Sequence, residues 1–96
     1  MAEIRIPPVL RAEAAGSRTV VVEATSVRSA LVALIAQHPA LEARVLPGGD
    51  VPTFLNVFVD GEDIRLLGGL DAPLHRNSQV LLLPAVAGGC PNQVRS

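Results

Sequence analysis

Residues 18–35 read RTVVVEATSVRSALVALI. The first part, 18–24, is rich in β-branched residues, and Val20 and Val22 sit two apart, the spacing that puts both on one side of a strand. Thr25 or Ser26 then offers a hydroxyl to cap a helix. Beyond it, Val27, Ala30, Leu31, Leu34 and Ile35 fall at i, i+3, i+4, i+7 and i+8, one apolar stripe of an amphipathic helix. Pro39 stops that helix, because the residue before a proline, His38, is biased out of helical geometry. A strand that feeds an amphipathic helix in this way needs a sheet for the helix to cover.

The neighbouring segments supply that sheet. Upstream, residues 2–7 (AEIRIP) alternate, with Ile4 and Ile6 on one side and Glu3 and Arg5 on the other, until Pro7-Pro8 ends the strand. Ala12–Gly16 reads as a turn, so the first two strands are expected to pair antiparallel. Downstream, residues 40–46 suit a short second helix, and Pro47-Gly48-Gly49-Asp50 a loop. Residues 54–60 (FLNVFVD) alternate again: Leu55, Val57 and Val59 point one way, Asn56, Phe58 and Asp60 the other. Asp60-Gly61 is a tight-turn pair, and Ile64–Leu66 is expected as the return strand. Gly68-Gly69 opens a further loop, with Leu70 and Leu74 packing under it. Residues 79–85 (QVLLLPA) form a nearly continuous apolar last strand, as a central position requires, with Val80 and Leu82 inward. The predicted order, β-β-α-(α)-β-β-β, is that of an α+β roll.

Ninety-six residues make one small domain. An apolar fraction of 49% excludes general disorder, yet the only aromatic rings are Phe54 and Phe58, which argues against a deep aromatic ligand pocket. Net charge is −1, and all eight basic residues are arginine, scattered without a run. That gives nucleic-acid binding little electrostatic support. The lack of lysine removes Schiff-base chemistry and self-attachment through isopeptide bonds. Cys90 is the one cysteine, so no internal disulfide can form, and a reducing cytoplasm is the expected setting. No leader pattern opens the sequence, and no apolar run approaches the ~20 residues of a membrane span.

Enzymatic groups are sparse. His38 and His75 are isolated and lack metal-ligand spacing, so no metal or bound cofactor is expected. Asp60, Glu62 and Asp63 cluster at a turn, where solvated carboxylates are the ordinary outcome. Gly48-Gly49 and Gly68-Gly69 lack the GK[ST] that makes a phosphate loop. Cys90 and Ser96 have no base nearby. What remains is Ala87-Gly88-Gly89 after the last strand, which by itself also reads as a flexible linker.

The runs FLNVFVDGEDIRLLGGLDAPL and VLLLPAVAGG, with IPPVLR at 6–11, resemble the ThiS/MoaD-type sulfur-carrier family, in particular its CysO-type carriers of cysteine synthesis. The resemblance spans residues 3–89 and implies a β-grasp, ubiquitin-like fold: a mixed sheet of about five strands with one main helix on one face, over residues 1–87. Residues 88–96 are then a tail. It further implies a non-enzymatic role. An E1-like adenylyltransferase would activate the Gly89 carboxylate with ATP, and sulfur would replace AMP to leave a thiocarboxylate. A sulfur-accepting enzyme such as a PLP-dependent cysteine synthase would consume it. Here Gly89 is followed by CPNQVRS, so its carbonyl lies in the Gly89–Cys90 peptide bond. The resemblance implies trimming by a JAMM-type zinc peptidase at that bond, unless residues 90–96 do not belong to the natural chain. Alternation also predicts that Phe58, Leu81 and Leu83 form an exposed apolar patch for the activating enzyme, or else one that a loop or a second copy covers. Delivery to a sulfur-containing metabolite, the small subunit of molybdopterin synthase, a ubiquitin-like protein modifier and a fixed binding module are the alternatives.

Overall fold

The computed structural model describes residues 1–84. Expectations for Ala85, for the boundary at residue 87 and for the tail 88–96 lie outside these residues.

Four strands fall where alternation places them: β1 (Ala2–Arg5), β2 (Thr19–Val22), β3 (Leu55–Val59) and β5 (Gln79–Pro84), with a two-residue β4 (Glu62–Asp63). The sheet order is β2-β1-β5-β3-β4. β1 and β5 run parallel at the centre, and every other pairing is antiparallel. β5 therefore has a neighbour on each side, which explains its apolar run. Two hairpins joined by a helix across one face make the β-grasp roll.

The helix α1 (Val27–Gln37) begins at Ser26. Ser26 Oγ accepts from the Ser29 N–H at 3.2 Å, and Ser29 Oγ accepts from the Ser26 N–H at 3.1 Å. Two of the donors that a helix start exposes are thus satisfied reciprocally, with serine in the place usually held by glutamate. The same end is tied to the loop before β5: the Val27 N–H donates to the Ala72 carbonyl at 3.0 Å, and the Leu74 N–H to that of Thr25 at 2.9 Å. Val27, Ala30, Leu31 and Leu34 are fully buried, and Ile35 packs partly buried at the margin. They meet Ile4, Ile6, Val57, Val80 and Leu82 in one core. His38 ends the helix, and Pro39–Leu41, a 3-10 turn, leads directly into the short α2 (Glu42–Val45).

Two segments differ from expectation. The β1–β2 connection is a 3-10 helix, Pro8–Ala14, rather than a turn confined to Ala12–Gly16; it closes through Ala15 and Gly16, both at positive φ. Ile64–Leu66 is also a 3-10 turn, and the return strand is Glu62–Asp63. The reason is the two-residue turn. Asp60 at φ 50° and Gly61 at φ 88° are both left-handed, as the hairpin's primed turn demands, so pairing resumes at once with Val59 opposite Glu62. The chain then leaves the sheet, with Ile64 buried and Leu66 82% exposed.

Candidate functional site

The period of two divides β3 and β5 cleanly. Leu55, Val57, Val59, Val80 and Leu82 enter the core, and Phe58, Leu81 and Leu83 face the other side of the sheet. Phe58 stands opposite Leu81 in the antiparallel β3–β5 ladder, and Leu83 opposite Asn56. Leu81 is also in register with Arg5 across the parallel pair. Phe58 and Leu81 are half-buried by these neighbours, while Leu83 is 41% exposed. The structure thus gathers all three onto one open face.

Polar groups flank this strip. On the β4 side Arg65 clasps Asp63: Nη2 donates to Oδ2 at 2.6 Å, Nε to Oδ1 at 3.1 Å, and the Arg65 N–H to Oδ1 at 2.9 Å. Arg65 Nη2 also donates to Asn56 Oδ1 at 3.2 Å. The Arg65 side-chain bonds, and then its backbone N–H, hold the Asp63 carboxyl below its ordinary range, and Asp63 in turn raises the guanidinium. Asp60 is likewise engaged: its Oδ1 accepts the Gln79 N–H at 3.0 Å. The turn carboxylates expected to be merely solvated are therefore partly structural, although Asp60 and Glu62 are both exposed and the Glu62 side chain makes no hydrogen bond among the described residues.

On the β1 side a groove of about 260 Å3 runs beside Leu81 and Leu83, lined by Arg5, Arg11 and Arg18. These arginines are far apart in sequence, which is why no basic patch is visible there. The fold joins them: Arg5 pairs with Thr19 across the hairpin, the Arg18 carbonyl accepts the Ile6 N–H at 2.8 Å, and Arg11 Nε donates to the Ile6 carbonyl at 3.1 Å.

The remaining candidates are more ordinary. His38 is a half-buried helix end, and His75 closes a tight turn by donating its N–H to Ser78 Oγ at 2.7 Å. Among the described residues, no three His, Cys, Asp or Glu side chains could hold a metal ion together, and no helix is long and apolar enough to cross a membrane. A cleft of about 320 Å3 between Val51, Leu55, Ile64 and Leu70 has no aromatic lining. Ala87, Gly88, Gly89 and Cys90, the residues expected to carry the chemistry, lie outside the described residues.

Comparison with known proteins agrees with this arrangement. The sequence model of the ThiS family matches residues 4–89, ending on the second glycine. Sulfur carrier protein CysO of Mycobacterium tuberculosis is 30% identical over 89 residues, covering 90% of this chain and 96% of its own length. Small archaeal modifier protein 1 of Haloferax volcanii is 42% identical over 82 residues, covering 81% and 90%. A chain in the crystal structure of the Amycolatopsis orientalis BexX/CysO complex superposes with a TM-score of 0.86 at 31% identity, over 93% of this chain and all of that one.

Proposed function

This chain belongs to the ThiS family, and from that premise we propose that it is a protein-borne sulfur carrier whose reactive group is the carboxylate of Gly89, exposed when the Gly89–Cys90 bond is cut. The observation that carries this reading is the position of Gly88-Gly89: four and five residues past the end of the central strand β5, with Gly89 the last residue of the family match. A rigid sheet with a glycine extension is a handle and a reactive end. Glycine has no side chain, so its carbonyl can be approached closely in a narrow active site.

The chemistry is that of an activated acyl group. The Gly89 carboxylate attacks the α-phosphate of ATP in a partner enzyme, and pyrophosphate leaves. Hydrosulfide released from the sulfur donor then adds to the acyl adenylate carbonyl and expels AMP, leaving a thiocarboxylate. The chain supplies the acyl group; ATP and the sulfur donor bind the E1-like partner. Consumption by a cysteine-forming, PLP-dependent enzyme, or by one that makes another sulfur-containing metabolite, completes the cycle. A CysO present in a complex with BexX supports a role in which such a domain is presented to another protein.

Incubation of full-length and Gly89-terminated chains with the E1-like enzyme, ATP and a sulfur donor tests this. Intact mass of the trimmed chain should rise by the difference between one sulfur and one oxygen, and the untrimmed chain should be unchanged. Thiocarboxylate on the untrimmed chain, or none on either, overturns the reading.

The 42% identity with an archaeal modifier protein favours a second reading, attachment of Gly89 to lysines of other proteins. With no lysine in this sequence, chains of the protein on itself are excluded. Mass spectrometry of tryptic digests of cell extracts for the remnant of residues 77–89, NSQVLLLPAVAGG, on foreign lysines separates the two.

A further inference from the structure

We propose that the groove between Arg5, Arg11, Arg18, Leu81 and Leu83 receives an extended acidic segment of the enzyme that activates Gly89, carboxylates on the arginines and an apolar residue on the leucines. This rests on the proposed role of Gly89 but adds the chemistry by which the partner is selected.

Three observations carry it. First, Arg28, Arg44 and Arg65 each have a carboxylate within 4.0 Å, whereas among the described residues Arg5, Arg11 and Arg18 have none. Three of the four described arginines without a carboxylate partner thus line one groove, which lacks any acidic lining residue, and Arg76 alone lies elsewhere. Second, the groove is neither flat nor purely polar. Leu81, Leu83 and Pro8 give it an apolar wall, and Arg11 is anchored through Nε to the Ile6 carbonyl at 3.1 Å. An anchored guanidinium loses less freedom when it pairs with a carboxylate. At about 260 Å3 the space suits side chains of a peptide better than a cofactor. Third, the groove lies within reach of the reacting end. Leu83 precedes Gly89 by six residues, which span at most about 22 Å when fully extended. An enzyme that holds Gly89 in its active site must therefore lie over or beside this end of the sheet.

Opposite charge across such a contact raises the association rate and rejects partners that lack it, and it weakens with salt. Nucleic acid is the competing polyanion, but three arginines in a short groove without an aromatic stacking surface do not make a track for bases.

The test uses the full-length chain, labelled with 15N, at low salt. The probe is a blocked Asp-Glu-Leu-Glu-Asp peptide, with Asn-Gln-Leu-Gln-Asn as its neutral counterpart. The acidic peptide should shift the amides of Arg5, Arg11, Arg18, Leu81 and Leu83. The neutral peptide should bind at least tenfold more weakly, and Arg5→Gln and Arg18→Gln should each weaken the acidic peptide several-fold. Both arginines are exposed, so the unchanged spectrum elsewhere verifies folding. Equal binding of both peptides, shifts centred outside the groove, or tighter binding there of inorganic phosphate or a single-stranded oligonucleotide would overturn the proposal. In the activation assay, the Arg5→Glu/Arg18→Glu chain trimmed to Gly89 should show KM raised about tenfold at low salt, a gap that closes at high salt; an unmoved KM also overturns it. Absence of any activation of the wild-type trimmed chain would instead overturn the role of Gly89, because peptide binding is read without it.

Discussion

Asp60 holds Gln79 by both of its backbone polar groups: its N–H donates to the Gln79 carbonyl at 2.9 Å, and its Oδ1 accepts the Gln79 N–H at 3.0 Å. The β3–β4 turn thereby fixes the first residue of β5. Asp60 does this at φ 50°, a left-handed conformation that aspartate and asparagine tolerate better than alanine. Asp60→Asn keeps an acceptor and that tolerance; Asp60→Ala loses both. Urea unfolding should show Asn close to wild type and Ala destabilised by about 1–2 kcal/mol. Equal effects of the two variants would remove the carboxylate from the account.

The serine pair at the helix start makes a second, sharper case. Ser26 and Ser29 each accept the other's backbone N–H, so either substitution disables half of one device. Ser26→Ala should destabilise by about 1 kcal/mol. The double variant should lose less than the sum of the two single losses, since partners in one hydrogen-bond network are not additive. Strict additivity in thermal or urea melts would show that the two serines act separately.

These features also mark how far the sequence could be read. Alternation placed Val20, Val22, Leu55, Val57, Val59, Val80 and Leu82 in the core, and all seven are there, because a one-residue slip would expose every one of them. The helix was legible through its 3.6-residue stripe and its cap. The strand expected at Ile64–Leu66 failed because apolar residues two apart look like a strand, whereas the hairpin's two-residue turn had already used Glu62 and Asp63 for pairing. The arginine groove was illegible for a different reason. Its members come from β1, from the 3-10 segment and from the residue before β2, and only the β1–β2 and β1–β5 pairings bring them together.

Phe58 and Leu82 separate surface from core in one experiment. Leu82 is fully buried, and Leu82→Ala should destabilise by about 2–5 kcal/mol. Phe58 is half-buried on the opposite face, so Phe58→Ala should lower stability far less while weakening engagement of the activating enzyme by about tenfold. A loss of stability matching that of Leu82→Ala would place Phe58 in structural packing instead.

Acid should uncover the Asp63–Arg65 clasp. The Asp63 pKa is depressed below the ordinary aspartate value in the folded chain, chiefly by the Arg65 side-chain bonds. Its stabilising contribution is therefore complete above the ordinary aspartate range and is lost as pH falls through the depressed folded value. Asp63→Asn should remove this part of the acid dependence and leave the curve near neutrality parallel to wild type. Stability measured from pH 7 down to about 2 checks it; an unchanged acid limb in the variant would show that Asp63 is not coupled to folding.

If the Gly89 carboxylate is the reactive group, the Gly89–Cys90 bond is the one to be cut. Gly89 is followed by Cys90 and Pro91, and a proline's locked ring, lacking an N–H, obstructs stepwise trimming across Cys90-Pro91. A single endoproteolytic cut after Gly89 avoids that obstacle and yields the required carboxylate directly. A zinc peptidase of JAMM type suits the bond, since two successive glycines can lie in a narrow groove where metal-bound water reaches the carbonyl. Gly89→Val should block the cut sterically, and its melting temperature should match wild type if residue 89 makes no contribution to the core. Unselective clipping of the segment predicts otherwise: a ladder of products ending at Cys90, Asn92 and Gln93, little affected by the valine. Intact-mass analysis of both chains after exposure to cell extract decides between them. A dominant Gly89 end that vanishes in the variant supports specific processing, and a ladder without that end rejects it.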